Sequence, residues 1–148
     1  MSAQPSIATL VAAGGAKIPA TTVVRNGQLV NVVSAEIYPA DIAIFENTVV
    51  AIGDVTPYIG DKTIEIDADG RYLVPGLFDG HQHLECSKLS ITSIAKMLVP
   101  LGTTNVVSGL DQILVVSGLA GAEAFLRESQ QTPLRIFWGA PCKTPYTI

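Results

Sequence analysis

The chain contains two histidines, His81 and His83, and they are separated by a single residue. Side chains alternate between the two faces of a strand, so a strand here would place both rings on one face. The same alternation would add Asp79 and Glu85 to that face. Imidazoles are ligands of zinc, iron and similar divalent metals. The spacing therefore predicts a metal site in which these four residues are ligands or orienting groups.

The segment Leu77–Leu84, which holds the two histidines, is predicted to be extended and to lead into a helix. In β/α folds, sites form at the carboxyl ends of the strands. A metal there would lower the pKa of bound water to about 7 and act as a Lewis acid, as amide or amidine hydrolysis requires at neutral pH. The alternative is two unconnected histidines near solvated Asp79 and Glu85. The metal site is favoured because the two carboxylates share the strand face of the histidines.

Beyond residue 72 the apolar pattern alternates between strand and helix. Ser90 is placed to cap a helix that has four apolar residues on one face: Ile91, Ile94, Ala95 and Leu98. Thr103–Ser108 and Leu134–Gly139 have the pattern of strands, and Gly118–Gln130 that of a helix with Leu119 on its apolar side. This order of strands and helices predicts βαβ units, an α/β fold and a parallel sheet.

Residues 22–71 have a different character, with short strands and tight turns. Asn26-Gly27 predicts a hairpin turn between Thr22–Arg25 and Leu29–Val33, and Glu46-Asn47 predicts a second turn. Thr63–Asp67 alternates apolar and polar residues. We interpret these segments as half-buried antiparallel strands of a small β-sandwich or open sheet.

The composition excludes several classes of function. Hydrophobic residues make up 48% of the chain, and 9 basic residues against 13 acidic ones argue against a nucleic-acid partner. The apolar runs are shorter than the roughly 18 residues that span a membrane, and Ile7–Ala13 follows no basic region typical of a signal peptide. Cys86 and Cys142 are too few for a disulfide framework, which predicts reduced thiols in a cytoplasmic protein.

A longer motif carries a resemblance to a known family. The stretch from Gly70 to His83 resembles the entry strand of the amidohydrolase superfamily. Four further stretches resemble its adenine deaminase branch: Val24–Val32, Glu36–Ile44, His83–Ser87 and Leu98–Thr104. The similarity covers nearly the whole chain beyond about residue 20.

The resemblance implies a metal-dependent (β/α)8 barrel, or TIM barrel, with a β-sandwich built partly from the N-terminal segment. It makes His81 and His83 ligands of one or two divalent ions (zinc, iron or manganese) and Glu85 the catalytic carboxylate that transfers protons. Asp79 and Cys86 would lie just behind these ligands. For Cys86 a small buried residue is the favoured interpretation, with a thiolate ligand or nucleophile as the alternative.

Two departures from the family pattern concern the substrate. Cys86 replaces a serine, and the run from Ser108 to Gln112 stands where the branch typically has Ala-Asp-Pro-His-Glu. We therefore expect hydrolysis of a C–N bond in a cyclic amide, lactam or aminated heterocycle, with adenine as the alternative substrate. Asp111 and Gln112 follow the second barrel strand and Cys142 follows the third, so they are candidate substrate contacts.

The chain is shorter than a barrel, which needs about 250 residues. We expect an N-terminal extension (1–21), part of a β-sandwich (22–71) and the first three β/α units (72–148). The family's later ligands, including two further histidines, are not in this sequence. A second polypeptide or missing portion would complete the barrel within a higher oligomer. Alternatives are a non-catalytic scaffold subunit and an isolated metal-binding module.

Overall fold

The computed structural model describes residues 5–140, so Cys142 lies outside the described residues. The chain forms two compact units that meet in sequence between Pro75 and Gly76. The first unit contains a helix, α1, and five strands: α1 Ile7–Gly14, β1 Thr22–Asn31, β2 Glu36–Phe45, β3 Thr48–Gly53, β4 Ile64–Asp67 and β5 Tyr72–Leu73. The second contains three strands and two helices: β6 Leu77–Gln82, α2 Ile91–Leu98, β7 Thr103–Gly109, α3 Asp111–Ser129 and β8 Arg135–Gly139.

The first unit is an open sheet in the order β3-β2-β1-β4, and β5 also pairs with β1. The predicted turn at Glu46-Asn47 is confirmed, because antiparallel β2 and β3 meet there and Glu46 takes a positive φ of 53°. The core of the sheet is small, and Val23 and Ala43 are fully buried in it.

The predicted hairpin at Asn26-Gly27 is wrong, because β1 runs without interruption from Thr22 to Asn31. Its pairing with β2 shifts between Val24 and Gly27, which makes this dipeptide a β-bulge. Asn26 has a φ of 58°, and its backbone N–H donates to Oδ1 of Asp41 at 2.8 Å. A positive φ suits both turns and bulges, so the dipeptide alone does not distinguish them.

The prediction of an all-antiparallel first sheet is also wrong. Both β4 and β5 run parallel to β1. The alternation in Thr63–Asp67 indicates a strand but carries no information on the direction of its neighbour. Ile64 and Ile66 are also more exposed than predicted, at 62% and 48%.

The second unit is a parallel sheet in the order β6-β7-β8, which confirms the predicted βαβ arrangement. Ser90 caps α2 as expected, since its Oγ accepts the N–H of Ser93 at 3.2 Å. The helices bury one face of the sheet in a core cluster of six residues: Leu84, Ile91, Ile94, Ala95, Val106 and Leu134. This core fixes where β6 and β7 end, and therefore where the candidate site lies.

The helix α3 begins seven residues before the predicted start at Gly118. Gly118 interrupts the helix, with φ 61° and ψ −160°. The sequence pattern predicts only the part of α3 that follows this break. Ala122 is buried, whereas Leu119 is 75% exposed and does not join the apolar side as predicted. Within residues 5–140, no helix has both the length and the apolar character needed to cross a membrane.

Candidate metal site

The structure brings the two histidines together at the carboxyl end of β6. His81 lies in the last residues of the strand and His83 follows it directly. Their ring centroids are 5.0 Å apart and the rings meet edge to face, at 87°. Asp79 contacts the same segment, since its Oδ1 accepts the backbone N–H of His81 at 3.1 Å. The predicted pair of imidazoles therefore exists as a spatial pair.

Glu85 contacts His83, although the predicted strand phase does not extend to it. The strand ends at Gln82, and Glu85 belongs to a short 3-10 helix, Leu84–Ser87. Its Oε1 lies 3.2 Å from Nδ1 of His83, and its side chain is only 2% exposed. Its Oε2 is buried with no hydrogen-bond partner among the described residues.

Cys86 is exposed, so the expectation of a buried cysteine is wrong. The 3-10 helix buries Leu84 and leaves the thiol on the open side of the turn. Ligand atoms of His83, Glu85 and Cys86 all lie within 4.8 Å of one another. The thiol is therefore near the imidazole of His83.

The end of β7 forms the neighbouring wall of the site. Ser108 is buried, and its Oγ accepts the backbone N–H of Leu84 at 3.2 Å, which ties the two strand ends together. Asp111 is 6% exposed, and its carboxylate lies against Gly109, as does the ring of His83. Gln112, in contrast, is exposed. Of the two predicted substrate contacts that lie within residues 5–140, Asp111 is thus near His83.

Gln82 is a residue that the sequence argument missed. Its Oε1 is buried and has no hydrogen-bond partner within residues 5–140. Gln82 pairs in register with Ser108, after a shift in the β6–β7 pairing that begins at Asp79. The position between the two histidines was the available signal, but strict alternation assigns that residue to the other face.

These side chains fit a divalent metal. Two imidazoles and a buried carboxylate with an unsatisfied oxygen are the donors that zinc, iron and manganese accept. A buried polar atom without a hydrogen-bond partner is costly, and a bound cation would satisfy Oε2 of Glu85. A catalytic zinc site generally has three protein ligands, and the two histidines need at least one more.

The sequence resembles bacterial deaminases. It is 61% identical over 137 residues to adenine deaminase 4 of Rhizobium meliloti, an alignment that covers 93% of this chain and 23% of the relative. The chain thus spans about a quarter of the length of the curated relatives, and it corresponds to their N-terminal part. No protein-family model matches it.

Solved amidohydrolases share the fold. A crystal structure of an adenine deaminase aligns with 82% of this chain and 30% of its own, at a TM-score of 0.55 and 24% identity. A D-aminoacylase with a binuclear metal centre aligns over 82% of the chain and 29% of its own, at a TM-score of 0.57 and 18% identity. The predicted resemblance and the predicted fold, part of a (β/α)8 barrel with an N-terminal sheet, are confirmed.

Proposed function

We propose that this chain, which corresponds to the N-terminal quarter of adenine deaminases, supplies part of the metal site of a hydrolase acting on C–N bonds. The observation that carries the proposal is the pair His81 and His83, held 5.0 Å apart at the end of a parallel strand beside a buried carboxylate. Sequence identity of 61% to a named adenine deaminase supports the same reaction class.

In this proposal His81 and His83 hold the metal, which is zinc, iron or manganese. When bound, the metal would supply a water active at neutral pH and a Lewis acid for the leaving charge. Asp111 borders the same space and would contact the substrate. The resemblance implies proton transfer by Glu85, whose carboxylate lies within hydrogen-bond distance of His83.

The substrate we favour is an aminated heterocycle, and the named relatives point to an aminopurine such as adenine. A cyclic amide or lactam is the second candidate. It is favoured by the run from Ser108 to Gln112, which departs from the motif of the adenine deaminase branch. A screen of aminopurines against lactams and cyclic amides separates the two.

The remaining barrel strands and ligands must come from sequence beyond the matched quarter. We propose that they belong to a second polypeptide or to a further portion of the same one, within a higher oligomer. The exposed free thiol of Cys86 suits a reducing compartment, which supports a cytoplasmic location.

The test replaces His81 and His83 by alanine, one at a time, in the assembled enzyme. We expect each variant to lose metal and turnover while its circular dichroism spectrum is retained. The control is Gln130→Ala, an exposed residue at the end of α3, which should change neither. Full metal content and full turnover in both histidine variants would show that the chain is a scaffold subunit.

A further inference from the structure

The imidazole ring of His83 is held from three directions. Its Nδ1 atom lies 3.2 Å from Oε1 of Glu85. Its Cε1 atom lies 3.4 Å from the position that a Cβ atom would take at Gly109, so the ring rests against the backbone of β7. The ring of His81 meets it edge to face. This leaves Nε2 as the ring nitrogen available to a ligand.

The backbone around Glu85 is fixed by several hydrogen bonds. Leu84, 1% exposed, anchors the 3-10 helix in the core, and its N–H donates to Oγ of Ser108. The N–H of Cys86 donates to the carbonyl of His83 at 3.1 Å, and Lys88 closes the turn with a φ of 61°. The Glu85 carboxylate is therefore presented to His83 by a rigid turn.

The chemistry of the contact determines which nitrogen carries the proton. A carboxylate can only accept hydrogen bonds, so Nδ1 of His83 must be the donor. A neutral ring with its proton on Nδ1 has its lone pair on Nε2. Carboxylates that hold metal-binding histidines in this way fix the tautomer and orient the ring.

We propose that Glu85 is a positioning residue, which keeps the proton of His83 on Nδ1 and turns its Nε2 toward the metal. The inference rests on the proposed function in one respect, namely that His83 binds a metal. It replaces the proton-transfer role that the sequence suggested for Glu85. The side chain is 2% exposed and already bonded through Oε1, which suits orientation of a ligand better than contact with a substrate.

The first measurement needs no metal. The chain contains two histidines, so a long-range proton–nitrogen NMR spectrum shows two imidazole rings, and His83→Ala assigns them. For the metal-free full chain we expect the neutral ring of His83 to carry its proton on Nδ1. In Glu85→Leu, which removes the acceptor, this preference should be lost. A neutral His83 ring with its proton on Nε2 in the unsubstituted chain would overturn the proposal.

The second measurement is the affinity of the assembled, metal-depleted enzyme for Co²⁺, read from its visible absorption. Loss of an orienting carboxylate typically weakens metal binding about 10- to 100-fold. We expect a loss of that size in Glu85→Leu and a smaller one in Glu85→Gln, whose amide oxygen can still accept from Nδ1. The matched control, Glu128→Gln, changes a carboxylate that binds the N-terminus of α2 and should leave the affinity unchanged.

The outcomes separate the inference from the function on which it rests. Absence of histidine-dependent Co²⁺ binding in the assembled enzyme would contradict the proposed function, while the tautomer remains measurable in the chain. Normal affinity in Glu85→Leu together with lost turnover in the assembled enzyme would return Glu85 to proton transfer. Equal losses in Glu85→Gln, Glu85→Leu and Cys86→Ser would make Glu85 and Cys86 ligands. Either result overturns the positioning role, and Glu85→Gln tests it even if Glu85→Leu fails to fold.

Discussion

The carboxylate of Asp111 lies directly against Gly109, so that a Cβ atom at Gly109 would overlap Oδ2 of Asp111. The same Cβ atom would lie 3.4 Å from the ring of His83. The missing side chain at the end of β7 therefore lets a buried carboxylate approach the imidazole pair.

We expect Gly109→Ala to displace Asp111 and to press on His83. Overpacking of this kind costs about 1–3 kcal/mol, and turnover of the assembled enzyme should fall by more than tenfold. The control is Gly139→Ala on β8, because Gly139 pairs with Gly109 and its added Cβ would meet only ordinary contact at 3.7 Å. Equal turnover in the two variants, measured by steady-state kinetics, would contradict the prediction.

Glu128 is expected to make the second unit sensitive to acid. The backbone N–H of Thr92 donates to its Oε1 at 2.9 Å, and this hydrogen bond holds the pKa of Glu128 below its ordinary value of 4.5. A lowered pKa means that the charged form stabilises the fold, so this stabilisation is present above pH 4.5 and is lost as the pH falls through the lower folded-state pKa.

Glu128→Gln should therefore be less stable than the unsubstituted chain at pH 7, by about 1 kcal/mol. The difference should shrink as the pH falls below 4.5 and vanish below the lowered folded-state pKa, measured by urea denaturation at each pH. Glu123→Gln serves as the control, since Glu123 is exposed on the same helix. A difference that persists unchanged in acid would contradict the assigned cause.

Gly27 is predicted to be intolerant of any side chain. A Cβ atom there would overlap Cγ and Cδ1 of Leu73 on β5, which pairs with β1. Gly27→Ala should lower the free energy of unfolding by about 1–3 kcal/mol. Gly14→Ala, whose Cβ would approach only the carbonyl of Val50 at 3.7 Å, is the comparison, and similar melting temperatures would refute the prediction.

Phe78 and Phe137 form an exposed aromatic pair on the second sheet. Their ring centroids are 5.6 Å apart, and the residues are 57% and 46% exposed. Phe137 alternates with Ile136 and Trp138, which pack in the core beneath the helices, so the pair lies on the opposite face. If the proposed barrel forms, its remaining strands cover this face.

If a second polypeptide completes the barrel, Phe78→Ser should weaken its assembly with this chain, measured by size-exclusion chromatography of the assembled enzyme. We expect a dissociation constant at least tenfold higher, because an aromatic side chain contributes strongly to a buried interface. Met97→Ser changes another exposed apolar residue, 59% exposed on α2, and should leave assembly intact. An unchanged assembly of Phe78→Ser would show that this face is not an interface.

Local signals predicted much of this structure. The cap at Ser90, the β-branched run that became β7 and the turn at Glu46-Asn47 are all encoded within a few residues. Strand direction is not, because β4 lies parallel to β1 through contacts more than 40 residues apart in sequence. The bulge at Asn26-Gly27 could not be predicted either, because the pairing with the distant strand β2 determines whether this dipeptide forms a bulge or a turn.

The sequence predicts which residues form the site better than it predicts how they are arranged. The spacing of His81 and His83 indicated a pair, and the pair exists. The contact between Glu85 and His83 depends on a 3-10 helix that Leu84 anchors in the core. The period of a strand does not predict this helix, because the strand has already ended. The exposure of Cys86 follows from the same turn.

The position of β1 between β2 on one side and β4 and β5 on the other has a consequence for folding. The ion pair between Arg25 and Glu65, at 3.2 Å, joins residues 40 positions apart. Leu29 on β1 pairs in register with Leu73 on β5. Pairing of distant segments is slow because the intervening chain must first be ordered. During synthesis, the first unit therefore cannot complete its sheet until β5 has left the ribosome, just before the histidine-bearing strand β6 emerges.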